Sequence, residues 1–140
     1  MSRMDDYLIR PDAGHTPGEI GFAALHKVQS ALTEGRFAIL EHPIAPGVLA
    51  APMHAHSRED EFCIVLEGQI GFRIGEEEAV AGPGTVVVKL RGILHTFWNG
   101  GDQPARLLEI ISPAGFEAHF NELVPSSAAA MRTASLTSAR

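Results

Sequence analysis

The sequence has little cysteine, few positive charges and no long apolar run. Its single cysteine, Cys63, cannot form a disulfide within the chain, so nothing indicates an oxidising compartment. The N-terminus lacks the apolar segment of a signal peptide, and no stretch approaches the roughly 18 apolar residues that a membrane helix needs. We therefore expect a cytoplasmic protein that has no membrane partner.

The scarcity of positive charge excludes a second class of partner. The 11 Lys and Arg residues are scattered along the chain, and 17 Asp and Glu residues give it a formal net charge of -6. Nucleic acids and anionic membrane surfaces are bound by clustered basic residues. We therefore expect no nucleic-acid partner.

The composition predicts one all-β domain. A chain of 140 residues fits a single domain, and 14 Gly and 9 Pro indicate many turns. Seven short β-rich runs are separated by turn residues; they are 36–42, 61–68, 69–75, 76–82, 85–90, 95–99 and 105–112. Because runs such as CIVL and TVVV are apolar on both faces, we expect a two-layer sandwich or a barrel.

The two ends of the chain are less regular than this body. Residues 22–35 fit either a short helix or a strand that leads into a turn. Residues 114–125 space Phe116 and Phe120 along one helical face and predict a short C-terminal helix. We divide the single domain into an N-terminal segment (1–35), a barrel (36–113), this helix and a flexible tail (126–140). An apolar outer face on so small a barrel also predicts a homodimer.

Three histidines and one glutamate form a candidate metal site. In an extended MHAH segment, His54 and His56 project to the same side, and alternation places Glu61 and Cys63 on one face of the next strand. His95 begins a later strand and could complete the set. Three imidazoles and a carboxylate suit a divalent transition ion. Each histidine alone could equally be a surface or hydrogen-bonded residue, and SREDE could be a solvated turn.

The spacing of these residues resembles the two motifs of the cupin family. The first motif corresponds to Gly47, six residues, His54-Ala55-His56, four residues, Glu61, six residues and Gly68. The second corresponds to Gly84, five residues, Leu90-Arg91-Gly92, two residues, His95, three residues and Asn99. The first gap is one residue longer than in the family, and Leu90 replaces the family's proline. Proline presets backbone shape, so this change affects the loop and removes no ligand.

The resemblance implies a conical antiparallel β-barrel of jelly-roll type. It also implies that His54, His56, Glu61 and His95 bind a divalent transition metal ion such as Fe, Mn, Ni, Co or Zn. The expected ligand or substrate is a small organic molecule in the barrel mouth. An oxygenase is favoured, because quercetinase-like flavonol dioxygenases are among the similar proteins. A metal-dependent isomerase or decarboxylase and a non-catalytic binding or sensing barrel stay open as alternatives.

Other polar and aromatic side chains are weighed by their position along the predicted strands. If His95 points inward, Phe97 and Asn99 follow it and Trp98 faces outward. Arg91 could bind a substrate carboxylate and Glu109 could carry a proton, although both are as readily rim or surface charges. Solvent-exposed or capping roles are expected for the histidines outside the motifs, which are His15, His26, His42 and His119.

Overall fold

The computed structural model describes residues 4–16 and 23–115 of the chain. A 3-10 turn at Asp5–Tyr7 precedes the strands β1 (His15–Thr16) and β2 (Ala24–Val28) and the short helix α1 (Ser30–Thr33). The remaining strands are β3 (Ala38–Ile44), β4 (Asp60–Glu67), β5 (Ile70–Ile74), β6 (Glu77–Ala81), β7 (Val86–Lys89), β8 (His95–Trp98) and β9 (Ala105–Ser112). All seven strands expected from the β-rich runs are therefore present.

These strands form two antiparallel sheets. One has six strands in the order β1-β2-β3-β9-β4-β7, and the other has three in the order β6-β5-β8. The all-β, antiparallel prediction is confirmed. Within the described residues, however, strand pairing does not close the sheets into one continuous barrel, which corrects the expectation of a closed barrel. The two layers instead enclose a core between their inner faces.

Strict alternation of side chains along the central strands builds this core. Burial alternates residue by residue along β3 and β9 and along β4 as far as Val65. In the six-stranded sheet, Cys63, Val65 and Leu107 point inward, and in the three-stranded sheet Phe72 and Phe97 meet them. Because the period of a strand is two, the same alternation brings Glu61 of β4 and Glu109 of β9 into the interior.

The N-terminal segment contains both of the structures that its sequence left open. Strand β2 pairs with β3, and the helical turn α1 follows it directly. The turn ends at Glu34, which adopts the left-handed conformation with φ of 55°. No helix of the described residues is long and apolar enough to cross a membrane.

Most of the expected C-terminal helix lies outside the described residues. Of the predicted range 114–125, only Ala114 and Gly115 are described, and both lie in a bend that follows β9. The helix and the tail at 126–140 therefore stay predictions, as do the segment boundaries.

Candidate metal centre

His54 and His95 are held side by side by the backbone. The amide of His54 donates to the carbonyl of His95 at 3.1 Å, and the amide of His95 donates to the carbonyl of His54 at 2.8 Å. His95 opens β8, but His54 lies in an irregular segment and forms only this isolated bridge. MHAH therefore joins no sheet beyond this bridge, and its two histidines nevertheless reach the same side, as expected for an extended segment. The bridge to β8 orients His54.

His56 is positioned by a second backbone contact with the same loop. The amide of Gly92 donates to the carbonyl of His56 at 2.7 Å. Gly92 has φ of 79°, a conformation that glycine adopts without strain, and it belongs to the turn in which Leu90 replaces the family's proline. The turn forms without that proline, because Gly92 supplies the left-handed position and His56 its hydrogen-bond acceptor.

Glu61 reaches the histidines from the inner face of β4. Its carboxylate lies 3.2 Å from His56 Nε2 through Oε2 and 3.1 Å from His95 Nε2 through Oε1. The side chains of His56, Glu61 and His95 are buried, and that of His54 is half-buried. The expected alternation of Glu61 and Cys63 on the inner face is confirmed, since both are fully buried.

The four predicted side chains converge on one point. One nitrogen or oxygen ligand atom from each of them lies within 4.8 Å of all the others. The ring centroid of His54 is 4.9 Å from that of His56 and 4.5 Å from that of His95. These side chains come from one irregular segment and two different sheets, and together they form a His/Glu cluster that could hold a metal ion.

The hydrogen bonds of two rings test whether the cluster fits a cation. His54 Nδ1 lies 2.5 Å from the carbonyl oxygen of Pro52, and His95 Nδ1 lies 3.1 Å from that of Ile93. A carbonyl only accepts, so each Nδ1 carries the hydrogen and each Nε2 of a neutral ring is left with a lone pair. His95 Nε2 then faces the carboxylate oxygen of Glu61. Both atoms are electron-rich, and a cation bound to both would relieve their repulsion. The donor set therefore fits a divalent ion, and the carbonyls act as the outer partners that fix metal-binding imidazoles.

The electrostatics of the cluster favour an ionised carboxylate. Burial acts to raise the pKa of Glu61, but the Lys89 ammonium and the neighbouring His56 ring outweigh it and hold this pKa well below its usual range. Burial acts to lower the pKa of His56, and the Glu61 carboxylate outweighs it, so this pKa is raised. The pKa of His54 is lowered, mainly by burial and further by the neighbouring His95 and His56.

A second layer of buried ionisable groups lies behind Glu61, and the sequence analysis largely missed it. Lys89 Nζ is 3.3 Å from Glu61 Oε1 and 2.6 Å from Glu109 Oε2. Glu109 Oε1 in turn lies 3.1 Å from His42 Nε2. We call Lys89, Glu109 and His42 the buried triad; each is at most 1% exposed. Glu109 therefore points inward, which was one of the two positions predicted for it, and is not a rim or surface charge.

The triad corrects the expectation for His42 and adds the buried Lys89 to the surroundings of the cluster. An exposed or capping role for His42 is wrong, because His42 lies on the inner face of β3, where alternation turns it towards β9. The signal for this was available in the alternation of AILEHPI, which puts His42 in phase with Leu40 and Ile44. Lys89 carried no such signal, because only the pairing of β7 with β4 brings it opposite Glu61.

The remaining predicted residues lie around the cluster. Phe97 and Asn99 are buried with His95 as expected, and Trp98 is half-buried. Arg91 is exposed and pairs with Asp60 at 2.7 Å, so it lies at the rim. His26 is half-buried on β2, so the expectation that it is solvent-exposed is wrong. Its Nε2 has no hydrogen-bond partner among the described residues. The side chain of His15 and the whole of His119 lie outside the described part of the chain.

Comparison with known proteins agrees with this geometry. A family model of the Cupin domain matches residues 41–111 of the chain. No curated protein sequence is significantly similar to it. Many solved structures share the fold; KdgF from Halomonas sp. has 15% identity and a TM-score of 0.68, covering 79% of this chain and 96% of KdgF.

Two further structures have printed descriptions that name an activity. A predicted oxalate decarboxylase from Thermotoga maritima has 18% identity and a TM-score of 0.69, covering 76% of this chain and 98% of its own. A sugar phosphate isomerase of the cupin superfamily from Silicibacter pomeroyi has 24% identity and a TM-score of 0.58, covering 71% of this chain and 69% of its own. At these identities the likeness concerns the fold. Together with the matched family model, it establishes that the chain belongs to the cupin family.

Proposed function

We propose that the chain binds one divalent transition metal ion through His54, His56, Glu61 and His95 and acts on a small organic molecule. The convergence of the four ligand atoms within 4.8 Å is the observation that supports this most directly. Four protein ligands leave open positions on an ion that takes five or six ligands. When bound, such an ion supplies Lewis acidity and, if it is redox-active, electron transfer to dioxygen.

The side chains of the protein prepare the site for a substrate with oxygen donors. The half-buried His54 marks the open side of the cluster, whereas His56, Glu61 and His95 are buried. On the interior side, Phe97 follows His95 on the inner face of β8 and stacks on Phe72 with ring centroids 5.9 Å apart, which makes this side apolar. A small molecule would therefore approach past His54 and place its oxygen atoms against the cluster, with apolar groups against the interior.

Elemental analysis tests the metal site directly. Protein purified without a His-tag or chelator is expected to contain close to one equivalent of Fe, Mn, Co, Ni or Zn per chain, or to take up one when it is offered. His54→Ala and Glu61→Gln should lose this ion. His26→Ala and Glu67→Gln, which remove a histidine and a glutamate outside the cluster, should retain it. Wild-type metal content in His54→Ala would contradict the ligand assignment.

We propose dioxygenation as the first reaction to test, because the resemblance to quercetinase-like proteins favours it. After loading with Fe, Mn, Co or Ni, oxygen uptake is measured with phenolic, diketone and thiol substrates. Uptake that depends on both metal and substrate, and that His54→Ala abolishes, is the expected result. Absence of uptake with every metal and substrate class would count against the dioxygenase.

Isomerisation or decarboxylation is the second candidate reaction. The descriptions of the Thermotoga and Silicibacter proteins favour it, although both share only the fold with this chain. Both reactions use the same open-coordination ion as a Lewis acid. Sugar phosphates and small dicarboxylic acids, followed by NMR and by CO2 release, distinguish these reactions from each other. Binding of these molecules to metal-loaded protein without turnover would favour a sensing barrel.

We also propose that the chain forms a homodimer. Val80, Val86 and Val88 lie on outer strand surfaces with 67%, 57% and 48% exposure. Exposed valines on β6 and β7, which are edge strands of the two sheets, favour contact with another protein surface. Light scattering coupled to size-exclusion chromatography is expected to give twice the monomer mass, and Val86→Glu with Val88→Glu should reduce it to that of a monomer. A wild-type monomer at micromolar concentration would exclude this assembly.

A further inference from the structure

The buried triad lies directly behind the only anionic ligand of the cluster. Strand β4 is flanked by β7 on one side and β9 on the other, and Glu61 pairs with Lys89 across the first of these boundaries. Across the second boundary Cys63, one step along the inner face, pairs with Glu109. This register points Glu61, Lys89 and Glu109 into the same interior space.

Two carboxylates compete for one ammonium in this space. Lys89 donates a hydrogen bond to Glu109 Oε2 at 2.6 Å, whereas its distance to Glu61 Oε1 is 3.3 Å. The shorter contact is the stronger charge-assisted hydrogen bond. Glu61 Oε1 is also 3.1 Å from His95 Nε2, so the ammonium and the histidine approach the same oxygen. Lys89 is therefore held mainly by Glu109 and only secondarily by the metal-site glutamate.

Glu109 is itself fixed in place by further contacts. His42 Nδ1 lies 3.1 Å from the carbonyl oxygen of Ala23, and His42 Nε2 lies 3.1 Å from Glu109 Oε1. The His42 ring lies between these two acceptors, and its Nε2 contact occupies the Glu109 oxygen that Lys89 does not bond. The Cys63 thiol donates to Glu109 Oε2 at 3.5 Å. Both oxygens of Glu109 are thus engaged, and neither can swing towards the metal site.

The charges explain why this arrangement matters for an ion. A buried ammonium needs an anionic partner, because water cannot solvate it. If Glu61 were that partner, its negative charge would be neutralised and a divalent cation would have to displace the ammonium. With Glu109 as the main partner, the ammonium is neutralised within the triad and Glu61 keeps its charge for the cluster.

We propose that Glu109 is a positioning residue of the metal centre, which holds the Lys89 ammonium away from Glu61 and so keeps this carboxylate available to the ion. The proposal rests on the proposed metal-binding function of His54, His56, Glu61 and His95. Glu109 acts only through Lys89 and touches none of the four ligands in a described contact. His42 supports it by holding the second carboxylate oxygen.

A set of four proteins tests this role by metal affinity. Wild type, Glu109→Gln, Lys89→Met and the double variant are stripped of metal, and Zn²⁺ or Co²⁺ affinity is measured by competition with a chromogenic chelator. Glu109→Gln should bind about 10- to 100-fold more weakly, the range typical of lost outer partners at metal sites. Lys89→Met removes the competing ammonium, so in that background Glu109→Gln should not weaken binding. The double variant should therefore bind at least as tightly as Lys89→Met alone.

This pattern separates positioning from a merely structural role. If Glu109 only maintained the fold, the double variant would bind as weakly as Glu109→Gln or more weakly still, and that result would overturn the proposal. The comparison of Lys89→Met with the double variant decides the question even if Glu109→Gln alone does not fold. Equal affinity of wild type and Glu109→Gln would refute the role of Glu109 and leave the metal site intact. Failure of the wild type to bind any ion would refute both.

Discussion

Replacing Lys89 by methionine should destabilise the fold strongly, because it leaves two carboxylates in the core without their shared cation. The ammonium lies 2.6 Å from Glu109 and 3.3 Å from Glu61, and Lys89 is only 1% exposed. At an effective dielectric constant of about 20, each contact has a gross attraction of roughly 5 to 6 kcal/mol. Desolvation of the ammonium offsets much of this, and breaking a buried ion pair typically costs about 3 to 5 kcal/mol.

The loss should depend on pH in a defined direction. In wild type, burial acts to lower the pKa of Lys89, but the Glu109 and Glu61 carboxylates outweigh it and raise this pKa well above its ordinary value, so the ammonium persists throughout the neutral range. In Lys89→Met, the buried carboxylates lack this cation and hold a proton more tightly folded than unfolded. The variant's stability then falls as pH rises above the ordinary glutamate pKa, and its deficit should be larger at pH 8 than at pH 5.

Urea unfolding of metal-free protein at these two pH values measures the effect. Arg36→Met is the matched control, because Arg36 is an exposed cation whose contact with Glu34 is 3.8 Å long. This control should change the free energy of unfolding by less than about 1 kcal/mol. An Lys89→Met deficit that is no larger than that of the control, or that does not change with pH, would refute the account of Lys89 as the charge partner of the core.

Three further measurements probe the surroundings of the site. Gly71→Ala should destabilise by about 1 to 3 kcal/mol in urea unfolding, because its new Cβ would lie 2.3 Å from the Trp98 ring; Gly82→Ala, which meets only the end of the Gln69 side chain, is the control, and equal losses would contradict the packing argument. Cys63 should resist alkylation at pH 8 until urea is added, since burial raises the pKa of its thiol, and rapid modification of folded protein would show that it is accessible. Burial acts to raise the pKa of Glu109, but Lys89 and His42 lower it overall from its ordinary value of 4.5. The stability that Glu109 contributes should therefore be lost as pH falls below about 4.5, and plots of unfolding free energy against pH for wild type and Glu109→Gln should converge there. Plots that stay parallel down to pH 3 would exclude this contribution.

The sequence was sufficient to predict what depends on local pattern. Alternation along EFCIVLEG placed Glu61 and Cys63 inward, and the seven β-rich runs became β3 to β9. The motif spacing selected His54, His56 and His95 although His95 lies far from the other two in the chain. MHAH brings its two imidazoles together as expected, although it is not part of a continuous strand. A single bridge to β8 and one hydrogen bond from Gly92 achieve the same convergence without a strand.

What could not be predicted depends on which strands become neighbours. Alternation can show that Glu109 and His42 point inward, but it cannot show that they meet, because β3 and β9 are separated by more than 60 positions in the chain and pair only in the sheet. Lys89 is the extreme case, since a lysine at the end of TVVVK reads as the charge that terminates an edge strand. Strand β7 is indeed at the edge of its sheet. Its last residue, Lys89, nevertheless points inward and lies opposite Glu61.

This position gives the edge strand a role in the chemistry of the centre. Had β7 paired with β4 one residue out of register, its inward face would have carried Val88, and Glu61 would have lain beside Glu109 without a cation between them. Two neighbouring buried carboxylates repel each other. One of them would therefore take up a proton and could no longer serve as an anionic ligand. The register of β7 therefore determines the charge of the metal site as well as the packing of the sheet. The cluster and the buried triad therefore form one set of interacting charges. The sheet supplies the Lys89 ammonium, and Glu109 determines how strongly that ammonium interacts with Glu61.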